Sequence, residues 1–148
     1  KSARPGTKSN SINKWLVAAA ILVYCQIILG GLVSSNYAGL ACPDFPKCGG
    51  LWIPEFVGLV RFQFMHRIGA LIVTCVLSIV AVKLWKLNLE TRALFLSRLL
   101  PGLLAVQLFL GIGSVFWQLP VLMSVAHLAV ATAIFGAVLV IQYECRRE

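Results

Sequence analysis

Charge is scarce in this chain, and negative charge scarcer still: 12% of the 148 residues are ionised, five of them acidic against thirteen basic. No carboxylate pair is therefore available inside the apolar segments for acid–base work. There is no glycine-rich nucleotide loop and no hydrolase nucleophile with a neighbouring base, which excludes the P-loop and triad chemistries. Histidine occurs only twice, at His66 and His127. What fills the chain instead is apolar: 59% of residues are hydrophobic and the mean hydropathy is +0.89.

Four stretches, residues 15–33, 62–85, 99–117 and 120–141, are each close to the roughly 20 apolar residues that cross a bilayer. With no water to satisfy backbone groups there, each is expected to be a helix. The predicted fold is all-α, an integral membrane four-helix bundle. Residues 1–14 read as a basic cytoplasmic tail, 15–148 as one transmembrane domain with a loop at 34–61, and 86–98 as a short polar connection. The first apolar stretch lacks a convincing small-residue cleavage site, so it reads as a retained helix and not as a signal peptide.

The net charge of +8 follows from topology. Lys1, Arg4, Lys8 and Lys14 precede the first helix, Lys83, Lys86, Arg92 and Arg98 cluster between the second and third, and Arg146 and Arg147 follow the fourth. Lys47, Arg61 and Arg67 are the cations on the opposite side. By the positive-inside rule both termini are cytoplasmic and loop 34–61 lies on the outer face of the plasma membrane. No basic surface interleaved with exposed aromatics exists, so nucleic acid is not an expected partner. Membrane lipid is, with Trp15, Trp52, Trp85 and Trp117 at interfacial positions.

The pattern that carries chemistry is repeated. Gln26-Ile27-Ile28-Leu29-Gly30 precedes His66, and Gln107-Leu108-Phe109-Leu110-Gly111 precedes His127. Each hairpin thus offers one glutamine, one glycine and one imidazole, which predicts a two-hairpin pseudo-twofold repeat. Helices two and four run in the same direction, with His66 about 7 Å and His127 about 12 Å from the start of their predicted spans. Ionisable groups in a membrane are costly and mark functional sites. Two such imidazoles can hydrogen-bond neighbouring helices, or clasp one haem iron from opposite faces; the repeat favours the haem. Gln26 and Gln107 would then orient the rings. Arg67 would pair with a haem propionate or reach lipid headgroups, and Gly30, Gly31, Gly111 and Gly113 would admit the macrocycle or simply a neighbouring helix.

The loop holds Cys42-Pro-Asp-Phe-Pro-Lys-Cys48. Two thiols so close in an oxidising compartment predict a disulfide, structural or redox-active; a metal site is the alternative, though the loop has no histidine and no third cysteine. Cys25 and Cys75, inside helices, read as small buried hydrophobes, and Cys145 as packing or an acylation site beside the inner face.

These residues resemble a known family. Leu29-Gly30-Gly31-Leu32-Val33, Gly39-Leu40-Ala41 with the Cys42–Cys48 loop, Met65-His66-Arg67 and the later Leu-Gly helix followed by His127 are similar to the haem A synthases. The likeness runs from Gln26 to about residue 140. Most members have eight helices in two four-helix halves, and this chain looks like one half. The resemblance implies oxidation of a haem O methyl group towards haem A, with His66 and His127 as axial ligands to haem b, or to haem O or A as substrate or product. It also implies the Cys42–Cys48 bridge, and a homo-oligomer or other membrane redox subunits as partners. One departure stands out. The substrate-handling half of the family has a glutamate three residues before the helix-two histidine, where this chain has Gln63, which cannot exchange a proton. A non-catalytic b-type haem subunit passing electrons in a larger complex is therefore the alternative.

Overall fold

The structure, a computed structural model, describes residues 5–87, 89 and 91–147. Four helices account for most of them: α1 (Pro5–Ser35), α2 (Val60–Trp85), α3 (Thr91–Phe116) and α4 (Val121–Arg147). All four are long and apolar enough to cross a membrane, over Ser11–Ser35 in α1 and over the full length of the others. The fold is thus an all-α membrane bundle, as its composition required. Two boundaries differ from the sequence reading. The stretch ahead of Trp15 is helical from Pro5, and the connection expected over 86–98 is shorter because α3 already begins at Thr91. Lys1 and Arg4 lie outside the described residues.

The helices form a ring, with α1 packed on α2 and α4, and α3 on α2 and α4, so α2 and α4 sit on a diagonal. Loop 36–59 and the turn 117–120 share one end; the C-terminal end of α2, the starts of α1 and α3 and the end of α4 share the other. At the loop end the 3-10 turn Ala38–Leu40 is pressed under the α3–α4 turn. A Cβ at Gly39 would stand 2.7 Å from Leu119 Cδ1, so the leucine tip rests directly on this glycine and would have to shift for a larger residue.

Burial is uneven along the bundle. Leu16, Leu77, Val80, Leu84, Leu100, Val138 and Ile141 are fully buried, and all belong to the half away from the loop. No residue is buried between Val23 and Val33, between Gln63 and Leu77, between Leu104 and Gly113, or in α4 before Ile134. In α1 that less buried layer is about 13 Å tall. Ile27, Val73, Val76 and Val130 of this layer are partly buried and pack against the core.

Cys25 and Cys75 are exposed on the bundle's outside and not buried as expected, while Cys145 is buried in the core cluster. Helical phase decides this, and phase is weakly encoded where every face is apolar.

Candidate haem site

The less buried layer is where both histidines lie. His66 is the seventh residue of α2 and His127 the seventh of α4, each about 9 Å from its helix start. The unequal depths expected from sequence came from placing one start two residues late and the other a residue early. Gln26 and Gln107 are likewise in register, each nine residues before the end of its helix. The two imidazole rings approach each other across the diagonal in an edge arrangement, with centroids 6.5 Å apart and planes inclined by 72°.

Each ring is held by the helix that precedes it. Gln26 Nε2 donates to His66 Nδ1 at 2.9 Å and to the His66 carbonyl at 2.9 Å. Gln107 Nε2 donates to His127 Nε2 at 3.3 Å. One turn along, glycine makes room. A Cβ at Gly30 would stand 3.1 Å from His66 Cε1, and one at Gly111 2.9 Å from His127 Cε1. These two glycines therefore seat the imidazole edge, a role the sequence reading gave to the macrocycle or to helix packing. Gly31 faces open space, with nothing within 4 Å of an added Cβ.

The donor set fits a haem iron. Two imidazoles on one iron, with Fe–N bonds near 2.0–2.1 Å, place their centroids about 6.4 Å apart, which is the separation observed. With glutamine Nε2 donating, the ring nitrogen it meets is the acceptor and the other carries the proton; an iron at that other nitrogen requires the amide turned over so that its oxygen accepts instead, and His127 Nδ1 is buried with no partner. An imidazole that gives one nitrogen to a metal carries its proton on the other, where an amide oxygen accepts it. Gln107 Oε1 is buried and unpartnered. Among the described residues no cluster of three or more His, Cys, Asp or Glu could hold a bare metal ion.

Arg67 does something the sequence did not disclose. Its guanidinium donates to three loop carbonyls: Cys42 O at 2.6 Å, Asp44 O at 2.7 Å and Lys47 O at 2.8 Å. Of the five N–H groups of an arginine, these bonds use three. Gln63, buried one turn earlier, donates to Gly39 O at 3.0 Å and leaves Oε1 without a partner. α2 thus grips the loop on both sides of His66. Within the loop Cys42 and Cys48 are joined and both are buried, with Cα atoms 4.5 Å apart. Changing Arg67 to Met removes three charge-assisted bonds, each worth roughly 1.5–3 kcal/mol. Reduction of the bridge by a phosphine, read as alkylated thiols by mass, is expected to accelerate at least about tenfold, with Arg67→Lys recovering part of the protection.

Asp44 organises the same loop. Its carboxylate accepts from Gly49 N at 2.6 Å and Gly50 N at 2.9 Å, and both glycines have positive φ (61° and 78°), which aims their N–H groups inward. The Gly50 N–H first, then Gly49, with a smaller Coulombic contribution from Arg67, hold its carboxyl below the ordinary value of 3.8 against some desolvation. The folded group is thus the stronger acid, and its stabilisation is complete above the ordinary carboxylate range. It disappears as pH falls through the depressed folded value. Phosphine reduction of the bridge should therefore stay slow at neutral and mildly acidic pH and quicken only below that range; in Asp44→Asn it should be fast throughout.

Comparison with known sequences places the chain in a family. The profile of the COX15-CtaA family, cytochrome oxidase assembly protein, matches residues 1–139. The chain is 34% identical to a heme A synthase of Shewanella oneidensis over 86% of its own length and 44% of that protein's. It is 32% identical to a heme A synthase of Nitrosospira multiformis over 86% of its length and 39% of that protein's. It is 28% identical to the heme A synthase COX15 of Arabidopsis thaliana over 92% of its length and 32% of that protein's. No solved structure matches. The chain belongs to the COX15-CtaA family and spans less than half the length of these relatives.

Proposed function

We propose, from that membership and from the approach of the two imidazoles, that this four-helix unit binds one haem between His66 and His127 and serves the oxidation of a haem O methyl group towards haem A. The observation that carries the reading is the 6.5 Å spacing of two rings, each held by a glutamine of the preceding helix, in a layer where no residue is fully buried. The matched registers of Gln26 with Gln107, Gly30 with Gly111 and His66 with His127 support a pseudo-twofold relation between the hairpins. A bound haem b supplies reversible one-electron chemistry at iron. The chain's residues do the rest: the histidines ligate, the glutamines fix ring orientation, and the glycines allow the rings to approach. Gln63 supplies no proton-transfer group, so this unit holds and positions a haem and moves no proton there. Arg67 keeps two N–H groups for a propionate beyond those it gives the loop.

The charge distribution supports an orientation with both termini cytoplasmic and the Cys42–Cys48 disulfide loop on the outer face of the plasma membrane. The burial of both cysteines favours a structural bridge over a redox-active one. A second membrane subunit, of this chain or of another redox protein, completes the assembly. The test is haem extraction from cells that make haem O, with and without this gene. Haem A that depends on the gene, and is lost in His66→Ala, is the expected result. Retention of haem b with no conversion would reduce the protein to an electron carrier.

A further inference from the structure

The segment between the disulfide ring and α2 is more apolar at its surface than a water-facing loop should be. Leu51, Trp52, Ile53, Phe56, Val57 and Leu59 are all exposed, Ile53 by 78% and Trp52 by 67%. Contiguous apolar surface of this kind marks a contact with something other than water.

Its position says what. The Phe56 ring meets Phe64 edge-on, with centroids 5.4 Å apart. Phe64 is the fifth residue of α2, about 6 Å inside the spanning helix. The segment therefore lies alongside the first turns of the span, and its surface runs on into exposed Met65, Ile68 and Ile72 of the same helix. Cations border it: the Lys47 ammonium is 5.6 Å from the Trp52 ring centroid and the Arg61 guanidinium 4.8 Å from that of Phe62. Aromatic rings with long cations reaching past them are what a bilayer interface selects. The backbone sets the depth. Residues 52–56 are irregular, and the only backbone bond in this stretch is Val57 N to Glu55 O at 2.9 Å. Such a backbone is not tolerated in bare hydrocarbon but is satisfied by water and headgroups one layer higher.

We propose that residues 51–59 form a strap seated in the headgroup–acyl boundary of the leaflet at the loop end, and that its partner is the lipid surface. The strap flanks the start of the helix that carries His66 and anchors the disulfide ring at the membrane plane. This rests on the membrane-spanning helices alone and stands or falls independently of haem.

The test uses the full chain in phosphatidylcholine nanodiscs. Cys25, Cys75 and Cys145 are replaced by Ala, the Cys42–Cys48 bridge is kept, and a nitroxide is attached through Ile53→Cys. Collisions with oxygen are expected to exceed those with a water-soluble nickel chelate severalfold. Dominant nickel collisions would put the strap in water and overturn the proposal. Protection from both reagents would show a protein covering it and would overturn it equally. A measurement free of cysteine changes runs alongside: lipids brominated near the top of the acyl chain should quench the emission difference between the natural chain and Trp52→Phe. Bromine near the chain end should quench it several times less. An equal or absent response to the two lipids counts against the strap.

Discussion

Replacing either His66 or His127 with Ala is expected to strip the purified protein of its low-spin b-type absorption, with loss of both the Soret and α bands. The rings are 6.5 Å apart and each belongs to a different hairpin, so neither neighbour can take over a missing ligand. Outer-shell partners of metal ligands already cost about 10–100-fold in affinity when removed. Loss of an axial ligand should exceed about 100-fold on that scale, and the second removal should add little because the two act as a unit. Haem titration into detergent-solubilised protein measures this. Far-UV circular dichroism should stay helical, since the packed half of the bundle contains neither residue. A variant that keeps six-coordinate haem would remove that histidine from the site.

The second large effect is expected from glycine. Gly111→Val and Gly30→Val force a side chain into space taken by an imidazole edge, where even a Cβ stands at 2.9 Å and 3.1 Å from Cε1. Overpacking of this kind costs about 1–3 kcal/mol, or roughly 5- to 150-fold in haem affinity, with Gly111 the more sensitive. Gly31→Ala is the internal contrast. It lies next to Gly30 in the same helix, meets nothing within 4 Å and should bind haem normally. It should even gain slightly in stability, by about 0.5–1 kcal/mol, from the better helix former. Equal loss at Gly31 and Gly30 would mean that these glycines serve helix packing in general and not ring seating.

The contrast between Gly30 and Gly31 also marks how far the sequence could be read. Hydropathy located four helices, because a span of some 20 apolar residues has few alternatives. The repeated Gln-x-x-Leu-Gly and its histidine were legible as one layer of the bundle, because glutamine and glycine four apart share a helix face. Which glycine faces a ring, and which faces outward, depends on helix rotation, and a chain apolar on every side leaves rotation unmarked. The same ambiguity put Cys25 and Cys75 inside when they are outside. Arg67 was legible as a cation beside a ligand, with a propionate or a headgroup as its natural partner. Its observed partners are carbonyls of Cys42, Asp44 and Lys47. Carbonyl directions in an irregular loop are set by its turns, and no side-chain pattern announces them. Gln63 was read for the proton chemistry it lacks, whereas in the fold its amide ties Gly39 to α2.

The concentration of tight packing at the end away from the loop has a mechanical consequence. That end acts as a foot on which four rods stand, and the loop ties them again at the far end, so the less buried stretch lies between two fixed ends. Amide protons of residues 77–84 and 134–141 should exchange slowest in the whole chain, and those of 24–32 and 64–72 much sooner.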